Sequence, residues 1–258
     1  MLIKLKKTRS HLEDRKLALW LATLAGLLNA MALGAFGFFP SHMSGNASHI
    51  SREISALHLN EILFLGSIIM SFATGAICSR LIVVWGAAYN NRLIFCQILL
   101  LEGGILTGVS VYEVFFYSAS SNGKMILILS ALMGMHNAIS TQLSNGRVRS
   151  THITGAITDA GISLASLLSA FFCRHDGKEF DTQVRQLTTH LITIFSFSSG
   201  AIAGLVLFKW LSFQSMAAVG MTLTGLAMSS MLVVRRHVNS IGKLKCRADI
   251  VQGRELQT

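Results

Sequence analysis

The sequence predicts an all-α membrane protein of six transmembrane helices, arranged as two inverted three-helix repeats that each carry an additional re-entrant or interfacial helix. Three observations lead to this fold class: the composition, the apolar segments and an internal repeat. Of the 258 residues, 52% are hydrophobic and 13% are charged, whereas about 25% are charged in an average soluble domain. With one proline and a mean hydropathy of +0.55, disordered and fibrous classes are excluded, and most of the chain is expected to lie in lipid.

Stretches with few charged residues mark the predicted spans. They run over Leu17 to Ser51, Ile62 to Ser79 and on to Asn91, Leu93 to Tyr117, Met125 to Gly146, Gln186 to Phe208, and Trp210 to Val234. Each is long enough to cross a bilayer, which takes about 20 residues of helix. Two further segments differ, because Asn46 to Leu59 carries Arg52 and Glu53, while Thr154 to Phe172 is mostly apolar but contains Asp159. The first is not expected to cross lipid, whereas the sequence allows the second either to cross or to stop short.

Basic residues lie mainly at the two ends of the chain. The formal net charge is +10, and six basic residues precede the first apolar run while six follow the last: Lys4, Lys6, Lys7, Arg9, Arg15 and Lys16, then Arg235, Arg236, Lys243, Lys245, Arg247 and Arg254. Basic residues that flank apolar spans are typical of membrane proteins, where they set the orientation of the chain. Nucleic-acid binding is therefore not predicted.

The basic residues between these clusters indicate the number of crossings. Six crossings place seven on the cytoplasmic side (Arg80, Arg92, Arg147, Arg149, Arg174, Lys178 and Arg185) and three outside (Arg52, Lys124 and Lys209), whereas eight crossings divide them five to five. The sequence thus predicts a multi-pass protein of the bacterial inner membrane with both termini cytoplasmic. Its predicted divisions are a basic N-terminal segment (1–16), two membrane repeats (17–117 and 125–234) and a basic cytoplasmic tail (235–258).

Sliding the sequence against itself reveals an internal repeat of four short matches in the same order. Gly26–Ala30, Ser41–Gly45, Ser71–Ile77 and Leu106–Gly108 match Gly134–Ala138, Thr151–Gly155, Ser196–Ile202 and Leu223–Gly225. Each match alone is weak, because glycine and alanine are common in membrane helices, but the shared order is hard to attribute to chance. With three crossings in each half, the second half enters the membrane from the opposite side, so the repeats are inverted.

Inverted repeats are characteristic of transporters and channels, whose solute sites lie near the bilayer midplane where the halves meet. The sequence therefore predicts a small-solute transporter or permease without an ATPase module of its own, and proton coupling is one option. A membrane-embedded enzyme and a membrane interaction or scaffold protein are the alternatives. No nucleophile elbow, HExxH, P-loop or nicotinamide-binding glycine motif occurs, which makes an enzyme the weaker interpretation.

A Ser/Thr-His-x-Ser/Thr-Gly motif follows the first helix of each half, at Ser41–Gly45 and Thr151–Gly155. Serine and threonine are good helix N-caps, and glycine permits close backbone approach. Each motif is predicted to begin a re-entrant helix with its N-terminus aimed into the membrane, where free N–H groups suit an anion or a polar solute. The plainer interpretation is that the motif caps a turn and packs tightly.

Four segments, GLLNA, SHMSGN, GMHNA and THITGAITDAG, occur at this spacing in a chain with basic ends. Together they resemble the YoaK family of bacterial membrane proteins, which is defined by a domain of unknown function, over roughly residues 17 to 235. That family has His-x-Thr-Gly-Asn after the first helix, where this chain has Ser44 in place of threonine, then Gly45 and Asn46. After the fourth helix, Thr154, Gly155 and Thr158 fit its pattern. The resemblance implies a polytopic bacterial membrane protein and brings no substrate.

Two carboxylates lie in predicted membrane segments. Glu102 is in the middle of a span, where an ionised side chain costs several kcal/mol unless it faces a cavity or a partner, and its repeat counterpart is Val219. It is predicted to couple transport to protons or to bind a substrate charge, or else to bond a neighbouring helix as a protonated acid. Asp159 lies four residues after Gly155, so it is either functional or an ordinary acidic residue in the first turns of a helix.

Polar residues also occupy equivalent positions in the two repeats. Asn29 and Asn137 lie at equal depth, and a buried amide needs hydrogen bonds, either along a path or between helices. His42 and His152 are more typical of structural hydrogen bonding than of metal ligation, so neither a metal nor a cofactor is predicted. The candidate solute path comprises Asn29, His42, Ser44, Gly45, Asn46, Glu102, Asn137, His152, Thr154, Gly155 and Asp159.

The expected partners are the lipid bilayer and one small solute that the sequence does not identify, and the sequence is compatible with a homo-oligomer. Neither a zinc site nor a disulfide framework is predicted, because the cysteines are spread over different apolar segments without a CxxC spacing: Cys78, Cys96, Cys173 and Cys246. They are expected to be small core residues.

Overall fold

The computed structural model describes residues 11–89, 91, 93–170 and 177–233, and these residues form helices without any strand. In chain order the helices are α1 (His11–Phe36), α2 (Met43–Ser55), α3 (Leu59–Ala88), α4 (Ile94–Phe116), α5 (Asn122–Leu143), α6 (Ile153–Ser169), α7 (Gly177–Leu211) and α8 (Phe213–Val233). A short 3-10 turn at Ala119–Ser121 precedes α5. Most of the basic residues at both ends, together with Arg92, Cys173, Arg174 and Cys246, fall outside the described residues.

Six of these helices are long and apolar enough to cross a membrane, namely α1, α3, α4, α5, α7 and α8. The six predicted spans are therefore present, and the chain is a multi-pass integral membrane protein. Large apolar side chains such as Leu63, Met70 and Ile77 on α3 are exposed, as expected of surfaces that contact lipid. The two further segments, which were predicted to differ from the spans, form the shorter helices, α2 with 13 residues and α6 with 17.

Several boundaries differ from the sequence prediction. α1 begins at His11 instead of Leu17 and carries Asp14 in its first turn, where an acid is stabilised by the helix dipole. It ends at Phe36, and Gly37 then turns the chain with a φ of +74°. α5 begins at Asn122, so residues 122–124, which lie between the two predicted repeats, are helical. Of the two described cysteines, Cys96 is buried as predicted, whereas Cys78 is exposed.

Glycines allow α1 to lie directly against α7. A methyl group added at Gly26 would overlap the carbonyl oxygen of Phe197, and one added at Gly200 would overlap the carbonyl oxygen of Thr23. The two backbones are therefore closer than any larger residue permits.

The packing of α3 against α5 uses the same kind of contact. A methyl group at Gly134 would overlap the carbonyl oxygen of Phe72, and one at Gly75 would overlap the carbonyl oxygen of Ala131. α4 and α8 cross at Gly103 and Gly220, each of which lies against the backbone of the other helix. Small residues thus fix all three helix contacts.

Candidate functional site

A central cavity of about 600 Å³ lies where the two Ser/Thr-His-x-Ser/Thr-Gly motifs meet. The first half lines it with Asn29, Phe39, Ser41, His42, Met43, Ser44 and Phe72, and the second half lines it with Asn137, Thr151, His152, Ile153, Thr154 and Phe197. Phe72 lies near the middle of α3 and Phe197 near the middle of α7. The cavity is therefore at mid-depth in the helical bundle.

The segment after α1 folds back to bring the first motif to this cavity. Asn29 lies seven residues before the end of α1, which is about 10 Å along the helix axis. Its Oδ1 accepts hydrogen bonds from Ser41 Oγ at 2.8 Å and from the Ser41 backbone N–H at 3.3 Å. These bonds hold the start of α2 at the level of Asn29 instead of at the end of α1.

The second motif is held in the same way by the first helix of its half. Asn137 lies six residues before the end of α5, and its Oδ1 accepts from the Thr151 N–H at 3.5 Å. Ser140 Oγ accepts from the Ser150 N–H at 3.2 Å and holds the residue before the motif against α5. The predicted path residues Asn29 and Asn137 therefore position the motifs as well as line the cavity.

Both short helices begin at the cavity. The first residues of α2 (Met43 and Ser44) and of α6 (Ile153 and Thr154) line it. The N-terminus of a helix presents free N–H groups and a partial positive charge of about half an elementary charge. Two such ends therefore face the same space.

The two motif histidines sit at these helix starts. His152 Nδ1 accepts the Gly155 N–H at 3.1 Å, so the neutral ring carries its proton on Nε2 and can donate there. His42 packs edge-on against Phe39. The rings of His42 and His152 occupy the space that a side chain at Gly45 or Gly155 would need, which explains a glycine three residues after each histidine.

Further cavities adjoin the central one and share its lining residues. On the α2 side, a cavity of about 300 Å³ shares Phe39 and His42 with the central cavity. On the α6 side, a cavity of about 410 Å³ shares His152 and Thr154 with it. A fourth cavity, of about 310 Å³, shares Gly146, Arg147, Asp159 and His190 with the α6-side cavity. In the order α2-side, central, α6-side and fourth, each cavity shares lining residues with the next, and His42 and His152 are shared at the two junctions with the central cavity. We call this series the cavity row.

Charged side chains line the outer cavities of this row. On the α2 side, Glu53 is almost buried, and hydrogen bonds from His58 Nδ1 at 2.9 Å and Arg52 Nε at 2.8 Å hold its pKa below the usual value of 4.5. On the α6 side, Arg147 Nε lies 2.6 Å from Asp14 Oδ2 and ties the α5–α6 loop to the start of α1. By contrast, no Asp, Glu, Lys or Arg lines the central cavity among the described residues.

Glu102 lies apart from the central cavity, in a completely buried pair with His136. His136 Nδ1 is 2.7 Å from Glu102 Oε1, and His136 Nε2 is 2.9 Å from the carbonyl oxygen of Leu21. Neither side chain has any exposed surface, and Glu102 Oε2 has no hydrogen-bond partner within the part of the chain that the structure describes. The pair connects α4, α5 and α1.

The predicted path residues therefore divide into three groups. Six line the central cavity, namely Asn29, His42, Ser44, Asn137, His152 and Thr154. Gly45 and Asn46 line the α2-side cavity, and Gly155 and Asp159 line the α6-side cavity. Glu102 belongs to the buried pair.

Sequence reasoning missed His136, the partner of Glu102, and the phenylalanines of the central cavity. Phe39, Phe72 and Phe197 line the cavity wall. For His136 a signal was present, because its repeat counterpart is the apolar Leu28. Among the described residues, no three His, Cys, Asp or Glu side chains are grouped so that they could hold a metal ion.

A protein-family model matches most of the chain. The model of a family described as "Protein of unknown function (DUF1275)" matches residues 17–229. No curated protein and no solved structure matches the chain.

Proposed function

This chain belongs to the DUF1275 family, a family of unknown function, and from its own residues we propose that it is a permease for a small polar solute. The solute site is the central cavity, near the bilayer midplane and between two inverted repeats. The observation that carries this proposal is the cavity row, in which consecutive cavities share lining residues.

The contacts of the two halves support a repeat architecture. In the sequence repeat, Gly26 corresponds to Gly134 and Phe72 to Phe197. The contact between Gly26 and the Phe197 carbonyl oxygen is therefore equivalent to the contact between Gly134 and the Phe72 carbonyl oxygen. Such exchanged contacts are what two equivalent halves produce when they pack about a two-fold axis.

The central cavity has the same internal correspondence. All but one of its lining residues form pairs between the repeats: Asn29 with Asn137, Ser41 with Thr151, His42 with His152, Met43 with Ile153, Ser44 with Thr154 and Phe72 with Phe197. A solute on the axis would meet the same groups from either side. This is an arrangement suited to alternating access and of no obvious use to a one-sided active site.

The lining chemistry favours a neutral polar solute or a small anion. The cavity walls offer two helix N-termini, imidazole N–H groups, hydroxyls and amides, which together favour negative charge or hydrogen-bond acceptors. No carboxylate among the described residues lines the cavity to balance a cation.

We also propose the finer assignments that the sequence suggested. The chain lies in a bacterial inner membrane with both termini cytoplasmic, so that the α6-side cavity faces the cytoplasm and the α2-side cavity faces outward. Within its family it groups with the YoaK-like members, on the strength of the motifs at Ser41–Asn46 and Thr151–Gly161.

Cysteine labelling tests the path without knowledge of the solute. In a background that lacks the four native cysteines, Ser44→Cys and Thr154→Cys are placed at the central cavity, and Ile157→Cys serves as a control on the exposed outer face of α6. A membrane-impermeant thiosulfonate reacts with the thiolate, which forms in water and not in lipid. We expect both cavity thiols in proteoliposomes to react at least about tenfold faster than the control thiol.

The proposal fails if neither cavity thiol reacts faster than the Ile157→Cys thiol. The solute itself is sought by uptake of a panel of labelled small anions and neutral polar molecules into the same liposomes. Protein-dependent uptake of one compound that protects Thr154→Cys from labelling is the expected result.

A further inference from the structure

The hydrogen bonds around His136 require one exchangeable proton. The carbonyl oxygen of Leu21 only accepts, so His136 Nε2 donates to it across 2.9 Å. A second proton must then lie between Nδ1 and Glu102 Oε1, which are 2.7 Å apart. That proton is either on the imidazole, as an ion pair, or on the carboxyl group, as a neutral acid.

Removal of this proton breaks one of the two bonds. With the remaining proton on Nε2, a nitrogen lone pair faces a carboxylate oxygen, and the two acceptors repel each other. If the proton moves to Nδ1, the bond to Glu102 survives and the bond to the Leu21 carbonyl oxygen is lost. The three helices are therefore fully joined only in the protonated state.

The pair joins the two repeats, and it has no polar counterpart at the equivalent positions. The repeat partners of Glu102 and His136 are Val219 and Leu28, which are both buried and apolar. The same scaffold thus accommodates apolar side chains at the equivalent positions. Since a buried ion pair adds little net stability compared with apolar residues of similar volume, stability alone gives no reason for Glu102 and His136.

We propose that Glu102 and His136 form a proton-binding site that couples proton uptake and release to solute movement, an inference that rests on the proposed permease function. Binding of one proton completes the connection of α4 and α5 to α1, and its release opens one link. α1 and α5 carry Asn29 and Asn137, and Asn137 directly follows His136. The proton therefore changes the packing of the two helices that supply the amides of the central cavity.

No other titratable side chain among the described residues bonds to the pair. The nearest such groups along the chain are Cys96 on α4, Lys124 on α5 and Lys16 on α1. On α3, Arg80 bonds Gln142 at 3.1 Å, and α8 contains no charged residue. Among the described residues, the pair therefore has no charged competitor in hydrogen-bonding contact.

The test measures access to the central cavity as a function of pH. Thr154→Cys in the cysteine-free background is reconstituted in liposomes and labelled with the thiosulfonate from about pH 5 to about pH 9. Its rate is divided by that of Leu57→Cys, which is 83% exposed, to remove the titration of the thiol itself. We expect the ratio to change in one step, by about tenfold if the two conformations differ tenfold in proton affinity.

Two variants of Glu102 and His136 distinguish a role in proton coupling from a purely structural role. Glu102→Gln can bond Nδ1 without a titrating proton, and the double variant E102V/H136L introduces the apolar residues of the repeat counterparts, Val219 and Leu28. Both are expected to fold, as checked by size-exclusion chromatography, and to abolish the pH step.

The outcomes are distinct. A pH step of unchanged size in both variants overturns the coupling site, as does a pH-independent ratio in the parent protein. If Thr154→Cys reacts with the reagent in these experiments, the permease path stands in either case. If it is unreactive in every background and at every pH, the proposed path itself fails.

Discussion

Replacement of Gly134 by alanine should destabilise the protein, because this glycine fixes the contact between α5 and α3. The added Cβ would overlap the Phe72 carbonyl oxygen and lie 2.9 Å from its carbonyl carbon and 3.2 Å from the Ala76 nitrogen. Carbon atoms pack best at about 3.5–4.0 Å, so the helices would have to separate by roughly 1 Å. All of the atoms that must move are backbone atoms, and no side-chain rotamer relieves the overlap.

The expected cost is the difference between two terms. Overpacking costs about 1–3 kcal/mol, and alanine returns about 0.5–1 kcal/mol through its better helix propensity. The net loss of unfolding free energy is therefore between about 0 and about 2.5 kcal/mol, and the middle of the two ranges gives about 1 kcal/mol. Reversible unfolding of the purified protein in mixed micelles, followed by circular dichroism, measures it.

Two further glycines make this prediction specific. Gly26→Ala meets the equivalent carbonyl on α7 and should lose as much as Gly134→Ala, to within about 0.5 kcal/mol. Gly104→Ala has nothing within 4 Å of its Cβ and should be neutral or stabilising by up to about 1 kcal/mol. The packing argument is wrong if Gly134→Ala is as stable as Gly104→Ala.

Three other predictions concern the outer parts of the cavity row. Gly155→Val should displace the His152 ring and slow the labelling of a central-cavity thiol. An off-rotamer His152 side chain costs about 0.5–1.5 kcal/mol, which corresponds to a slowing of about two- to tenfold. Gly161→Val, with open space around it, should not slow the labelling. Arg147→Ala should lower the unfolding free energy by about 1.5–3 kcal/mol, measured in mixed micelles, because it removes a charge-assisted bond to a carboxylate. The pKa of Glu53 is lowered in the folded protein. The ionised carboxylate therefore stabilises the fold above pH 4.5, and this stabilisation is lost as the pH falls through the lowered pKa. Thermal unfolding of Glu53→Gln, measured as a function of pH, should lack this loss of stability in acid.

The sequence predicts the spans and most of the central cavity for identifiable physical reasons. Lipid excludes charge and demands long apolar helices, so composition alone marks the crossings. The repeat then identifies residues at corresponding positions of the two halves, and a polar residue that recurs in both halves is a candidate for a shared site. Asn29, Asn137, His42 and His152 meet this condition, and all four line the central cavity.

The partner of Glu102 could not be predicted in the same way. Whether two residues on different helices face each other depends on the rotation of each helix about its axis, and tertiary packing sets that rotation. Hydropathy gives little help, because α4 and α5 are apolar on most of their surface. The useful signal lies in the mismatches of the repeat, since Glu102 and His136 are both polar where their counterparts Val219 and Leu28 are apolar. Unmatched polar positions are candidates to pair with each other.

This mismatch has a thermodynamic consequence for the proposed transport cycle. When two equivalent halves exchange conformations, the inward-facing and outward-facing states have the same internal contacts and similar free energies. A proton-dependent bond whose symmetry-equivalent positions, Val219 and Leu28, are apolar removes this equality, since a tenfold difference in proton affinity between the states shifts their ratio by about 1.4 kcal/mol. A gradient of protons can then drive the cycle in one direction. The variant E102V/H136L, in which both positions carry the residues of their repeat counterparts, should still conduct the solute but should no longer couple its movement to protons. It should therefore equilibrate the solute across the membrane without concentrating it.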